Sequence, residues 1–295
     1  MMTDLESGPD NLPWSQNGYL LFNAVRTGNL LQRLYQWNPG INCHPLFLGT
    51  RFKGLLDVSP VVVPVEDRYD PVLKGFLENA SNIWGLMLFT DADLQTVVDH
   101  FRWLVSVDEP TGKTTLLNLS DPPVANALFE LYPRHTDNAL FGPVEHLYAV
   151  DRFEERWRHH QRIGAPRTHD HKTLYCMNEA QIEALDEVSF RNVVINIERH
   201  MRSCFPTFQA QLDARQRFAY FLDMAQGAYE RGFHSESDLL HFANVMQFLH
   251  SQPAGTHPQI IDLLYQSSPL TPSQRAQKAN LLALQRARQL QGAQP

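Results

Sequence analysis

Ile83 to Phe89 reads IWGLMLF, seven apolar residues without a polar break. A strand with one wet face alternates polar and apolar side chains, and seven residues are too few for an ordinary buried helix. The run is therefore expected to be a strand covered on both faces. Such a strand requires packed layers on either side of its sheet. Inside it, Trp84 is expected to fill core space, and Gly85 to let a neighbouring helix approach closely.

Shorter apolar runs flank this strand. Tyr19–Val25 reads as strand followed by helix, Pro45–Leu48 as a second strand ending at Gly49 and Thr50, and Pro60–Val65 as an edge strand or strand start. After the central run, Thr90 is expected to cap a helix carrying Asp91 and Asp93 in its first turn. Val105–Val107 and Thr114–Leu119 enclose a hairpin turn, and Val144–Val150 is a last strand. Asp121 before Pro122 and Pro123 reads as a carboxylate cap with proline in the first turn.

Beyond Asp151 the character changes. FEERWRHHQRIGAPRTHDHK is polar, with Gly164 and Pro166 in its middle, and is expected to be a linker. Helical spacing then dominates: a helix capped by Asn178 and ending before Pro206, one from about Phe208 to Tyr229, one after Ser235, and one opened by Thr271 and Pro272. The expected fold class is α+β. It has an N-terminal mixed α/β lobe with a small central sheet (15–150), a polar linker (151–172) and an all-α C-terminal lobe of four or five helices (173–290).

Charge follows the same division. Residues 1–150 carry 9 Lys and Arg against 17 Asp and Glu, and 151–295 carry 16 against 15. With a net charge of -7 and no basic block, a nucleic acid partner is not expected. After Asp262 the charged residues are Arg275, Lys278, Arg286 and Arg288, a local positive face. Three scattered cysteines, Cys43, Cys176 and Cys204, fit a reducing cytoplasm better than a disulfide framework. The opening residues lack the pattern of a secretory signal, and no run is long enough to span a bilayer, so a cytoplasmic protein is expected.

Catalytic signatures are weak. Gly112-Lys113-Thr114 imitates the end of a phosphate-binding loop, but Val107 stands where its first glycine belongs, and a hairpin turn is the better reading. His159/His160 and His169/His171 lack a third ligand at a defined spacing and read as solvated linker histidines. No enzyme, cofactor or metal site is expected.

In their order these segments resemble the type VI secretion effector chaperones, the Tap or TEC adaptors (domain of unknown function 4123). The resemblance runs through Tyr19–Val25, Leu46, Phe47, Gly49 and Thr50, Leu55–Val63 with Pro60, Trp84 and Gly85, His100–Arg102, Asp121 and Pro122, and Phe141, Gly142, Pro143 and Val144. The family tends to place arginines around the Asp-Pro pair, where this chain has Asn118 and Pro123, so no arginine role carries over. The resemblance implies a non-catalytic cytoplasmic adaptor that holds a type VI effector, encoded beside it, and promotes loading onto the VgrG spike. It further implies an apolar groove between the lobes, for which Trp157, Phe205, Phe208, Phe233 and Phe248 are the candidate lining residues. The alternatives are a structural or accessory subunit of the secretion apparatus, or a hydrolase without a recognisable motif.

Overall fold

A computed structural model of the chain describes residues 5–167 and 171–292. It divides into two compact units, the first ending at Val188 and the second starting at Ser189. In the first unit, β1 (Asn17–Phe22), α1 (Ala24–Thr27), α2 (Leu30–Trp37), β2 (His44–Pro45), β3 (Val61–Val65), α3 (Pro71–Leu77) and β4 (Gly85–Thr90) follow one another. Then come α4 (Leu94–Leu104), β5 (Ser106–Asp108), β6 (Thr114–Leu116), α5 (Pro122–Glu130), α6 (Asn138–Phe141), β7 (His146–Asp151), β8 (Arg156–Gln161) and β9 (Tyr175–Cys176). Six strands form an antiparallel sheet in the order β2-β3-β1-β4-β7-β8, and β6-β5-β9 form a smaller one.

The central run becomes β4, and every residue of that strand is buried. Its side chains alternate between two cores. Leu86 and Leu88 join Tyr19, Leu21, Val62, Leu147 and Ala149 beneath α4, α5 and α6. Met87 and Phe89 join Leu20, Phe22, Val61, Val63 and Tyr148 beneath α2 and α3. Cross-strand register agrees, with Leu21 opposite Leu86, Leu20 opposite Met87 and Met87 opposite Tyr148. At roughly 1.5–3 kcal/mol for each fully buried large side chain, this two-sided burial is the main stabilising term of the unit.

Several expectations are corrected locally. Gly85 makes room for a strand rather than a helix: a Cβ there would lie 2.1 Å from the Leu21 carbonyl oxygen. Trp84 lies just outside the strand, buried, and its carbonyl accepts the Asn23 N–H at 2.7 Å. The cap of α4 is Asp93, which accepts the Thr96 N–H, while the Thr90 hydroxyl donates to the Pro143 carbonyl. Asp121 occupies the capping position of α5 without capping it; its carboxylate takes the Arg26 guanidinium through two bonds of 2.5 and 3.1 Å. A charged donor outcompetes the helix N–H groups for a carboxylate. The run at Pro45 pairs for only two residues, and Leu46 and Phe47 then bury themselves in a turn closed by Gly49 at φ 78°. Pro60 leads into β3 and its carbonyl accepts the Leu46 N–H. Gly142, at φ 55°, follows Phe141 of the core, and a Cβ there would meet the His100 ring at 2.3 Å.

Residues 151–172, expected as a linker, contain β8, which pairs with β7 from His146 opposite Gln161 to Asp151 opposite Arg156. Its polar composition is that of a strand with one neighbour. The Gly112 turn joins β5 to β6, and the Gly112 N–H bonds the Glu109 carbonyl instead of facing a phosphate.

The second unit is helical. It is supplied by α7 (Glu179–Cys204) from Ser189 onward, α8 (Ala214–Tyr229), α9 (Glu236–His250), α10 (Pro258–Tyr265) and α11 (Pro272–Gly292), while Ile182 and Leu185 of α7 pack against the first unit's core. Asn178 and Gln181 exchange bonds at the start of α7, and Ser235 caps α9 as expected. The helix expected from Phe208 begins later, where Asp213 and Gln216 form a capping box. Small residues Ala225, Ala228, Ala243, Ala276, Ala279 and Ala283 let the helices approach around Phe221, Phe233 and Phe242. Among the described residues no helix is long and apolar enough to cross a membrane.

Gly85→Ala places a methyl group against the β1 backbone, which cannot retreat without breaking the β1–β4 pair. The expected outcome is a loss of several kcal/mol, read as insoluble expression or a sharply lowered melting temperature. Gly54→Ala, in open space, serves as the neutral comparison.

Candidate functional site

β8 is an outer strand of the six-stranded sheet, so among the described residues one line of its backbone groups has no strand to pair with. The phase is set by the Arg162 N–H, which bonds the Glu145 carbonyl at 2.9 Å next to the register pair His146 and Gln161. In antiparallel pairing alternate residues face the neighbour, so Arg156, Arg158 and His160 bond β7. The backbone groups of Trp157, His159 and Gln161 point outward.

Beside this edge lies a cleft of about 470 Å³. Phe129, Tyr132, Pro133, Phe141 and Ile163 form its apolar wall, and β8 forms the other. Phe129 and Phe141 pack edge-to-face at 4.6 Å between ring centres, and Tyr132 packs on Phe141 at 4.9 Å, which holds the wall rigid. The Tyr132 hydroxyl accepts the Ile163 N–H at 2.8 Å and donates to Asn138, pinning the chain as it leaves β8.

The charged groups along β8 are held in place. Arg158 reaches Glu130 at 3.0 Å, Asp151 at 2.8 Å and Glu154 at 3.2 Å. His160 packs 6.0 Å from Phe129, and its Nε2 lies 2.9 Å from Asn126 Oδ1. Since an amide oxygen only accepts, that nitrogen carries the proton. Burial, then the Arg158 guanidinium and His159, lower its pKa to about 4. On the opposite face His159 stacks on Tyr148 with ring centres 4.4 Å apart, and its Nε2 lies 3.0 Å from His146 Nδ1. Burial, then His146, push His159 below the ordinary histidine range. His159 and His160 are thus parts of a strand, each with ring partners, rather than solvated linker residues.

Of the residues expected to line a groove, Trp157 lies on β8, half-buried, with its indole N–H on the Leu5 carbonyl at 3.0 Å. Phe205 is half-buried beside the helical core, while Phe208, Phe233 and Phe248 are buried within it. The sequence marks neither Phe129 nor Tyr132 as part of a site, and it presents His160 as a linker histidine because RWRHHQ carries no apolar alternation to mark a strand. His169 lies outside the described residues, and His171 stacks on Trp103 at 5.3 Å. Among the described residues no three His, Cys, Asp or Glu side chains are placed to hold a metal ion.

Residues 18–138 match the family described as "Domain of unknown function (DUF4123)". The chain is 29% identical over 278 residues to "Accessory protein VasW" of Vibrio cholerae serotype O1, covering 94% of this chain and 90% of that protein. No solved structure matches it.

The depressed pKa of His160 has a measurable consequence. The folded state keeps the ring neutral down to about pH 4, whereas the unfolded chain binds the proton near 6.5, so stability is present above pH 6.5 and is lost as pH falls toward 4. Between pH 7 and 5 this group is expected to remove about 2 kcal/mol. His160→Gln, which keeps an N–H for Asn126, should flatten urea-derived stability across that interval by a comparable amount.

Proposed function

With a DUF4123 domain over residues 18–138 as the premise, we propose that this chain is an adaptor that holds an extended segment of another protein against the β8 edge. The observation that carries the reading is the outward backbone of Trp157, His159 and Gln161 beside an aromatic cleft. Strand addition draws affinity from main-chain hydrogen bonds and specificity from side-chain pockets, and the edge and the cleft provide one of each. Such a device needs no nucleotide: a partner that binds either component more tightly releases the segment by mass action.

The biological setting is type VI secretion. The ordered resemblance of 19–144 to effector chaperones and the relative named an accessory protein both support this. The held protein is then an effector, the competitor that releases it is the secretion spike, and the site of action is the bacterial cytoplasm. Trp157 is the anchor of the edge. Phe205 is a second candidate contact, and Phe208, Phe233 and Phe248 act by shaping the helical unit from within.

Co-expression with the product of the adjacent gene tests this. A single complex on size exclusion is expected, and separate elution would count against the adaptor reading. Gln161→Pro removes one outward N–H while leaving the β7-facing positions intact. It should preserve the melting temperature within a few degrees and weaken the complex at least tenfold.

A further inference from the structure

A second surface of the first unit has the character of an interface and shares no residue with the β8 edge. Phe22 and Pro45 both pair with Val61, so the chain leaving β1, the chain leaving β2 and the chain entering β3 emerge at one end of the sheet. The short 3-10 segment Lys53–Val58 lies there against α1. All six of its residues are exposed, including Leu55, Leu56 and Val58, and next to it Val25 is 65% and Leu48 55% exposed. Single exposed aliphatics are ordinary, but five gathered at one sheet end form a patch.

Cations flank this patch. Arg51 and Lys53 border the exposed segment, with Asp57 the one acid inside it, although residues 1–150 as a whole carry 9 basic and 17 acidic residues. Arg26 is engaged by Asp121. Arg51 lies 4.8 Å over the Phe52 ring and donates to the Ser106 hydroxyl, and among the described residues neither Arg51 nor Lys53 has an acidic partner.

The backbone decides what form a partner takes. The N–H groups of Lys53, Leu55 and Ser59 bond carbonyls within the same turns, at Thr50, Phe52 and Leu56. A partner strand would find few main-chain groups to pair with, so the partner's own backbone must already be satisfied. We infer that the patch formed by Val25, Leu48, Leu55, Leu56 and Val58 receives an amphipathic helix of another protein whose apolar face is flanked by Asp and Glu. An anionic bilayer is recognised by clusters of about four or more basic residues, and this patch has two without an acidic partner among the described residues; a two-fold contact between copies would bring Arg51 and Lys53 toward their own equivalents.

The test uses the full chain and two labelled helical peptides of about 18 residues, identical in their leucine face but flanked by glutamate in one and lysine in the other. Fluorescence anisotropy should show the glutamate peptide binding at least tenfold more tightly. Leu55→Ser with Leu56→Ser should abolish that binding without moving the melting temperature, and Arg51→Glu with Lys53→Glu should reverse the preference. Gln161→Pro should bind the glutamate peptide as the parent chain does, which separates this surface from the β8 edge. Equal affinity for the two peptides, no affinity for either, or full binding by the leucine variant would overturn the inference. So would a dimer in light scattering that Leu55→Ser dissolves, or binding to vesicles of phosphatidylglycerol that Arg51→Glu with Lys53→Glu abolishes.

Discussion

A sheet whose central strand must be dry on both faces sets the terms for the rest of the first unit. β4 places Leu86 and Leu88 under one helical layer and Met87 and Phe89 under the other, so helices cover both faces and new contacts are left to the strand edges and ends. The close approach that makes this possible is backbone against backbone, at Gly85 and Leu21. Any side chain at 85 would part the two strands that both cores share.

The surfaces proposed to bind partners lie at those edges and ends. β8 has one strand neighbour among the described residues, which suits its polar composition and leaves its outward backbone groups facing no strand there. The aliphatic patch around Leu55 lies where the chain leaves β1 and β2 and enters β3, with the 3-10 segment set against α1 and all six of its residues exposed. A binding protein needs surfaces whose hydrogen-bonding and apolar capacity the fold itself has not used, and these two are of different kinds: one offers main-chain groups, the other aliphatic side chains bordered by Arg51 and Lys53. An adaptor that links two partners is served by such a pair.

Much of the fold was legible in the sequence because burial leaves a strong imprint. The unbroken apolar run marked β4, helical spacing marked α7 and α9, and Ser235 and Asn178 marked their starts. What escaped was what burial does not imprint. RWRHHQ looked like a linker because an edge strand needs few apolar residues. The Asp121 carboxylate was expected to cap a helix because its partner, Arg26, stands 95 positions away in the chain. The cap of α4 was placed at Thr90 instead of Asp93 because several polar residues compete for that role within one turn. The cleft wall of Phe129, Tyr132 and Phe141 could not be assembled from spacing, since its members come from α5, α6 and the loop between them.

The central claim is that a foreign segment extends the sheet at β8. Amide hydrogen exchange, resolved residue by residue on the complex with the adjacent gene's product, tests it most directly. The N–H groups of Trp157, His159 and Gln161 should slow at least tenfold on binding, while those of Arg158 and His160, already bonded to β7, change little. An intact complex in which those three amides exchange as they do in the free chain would contradict the claim.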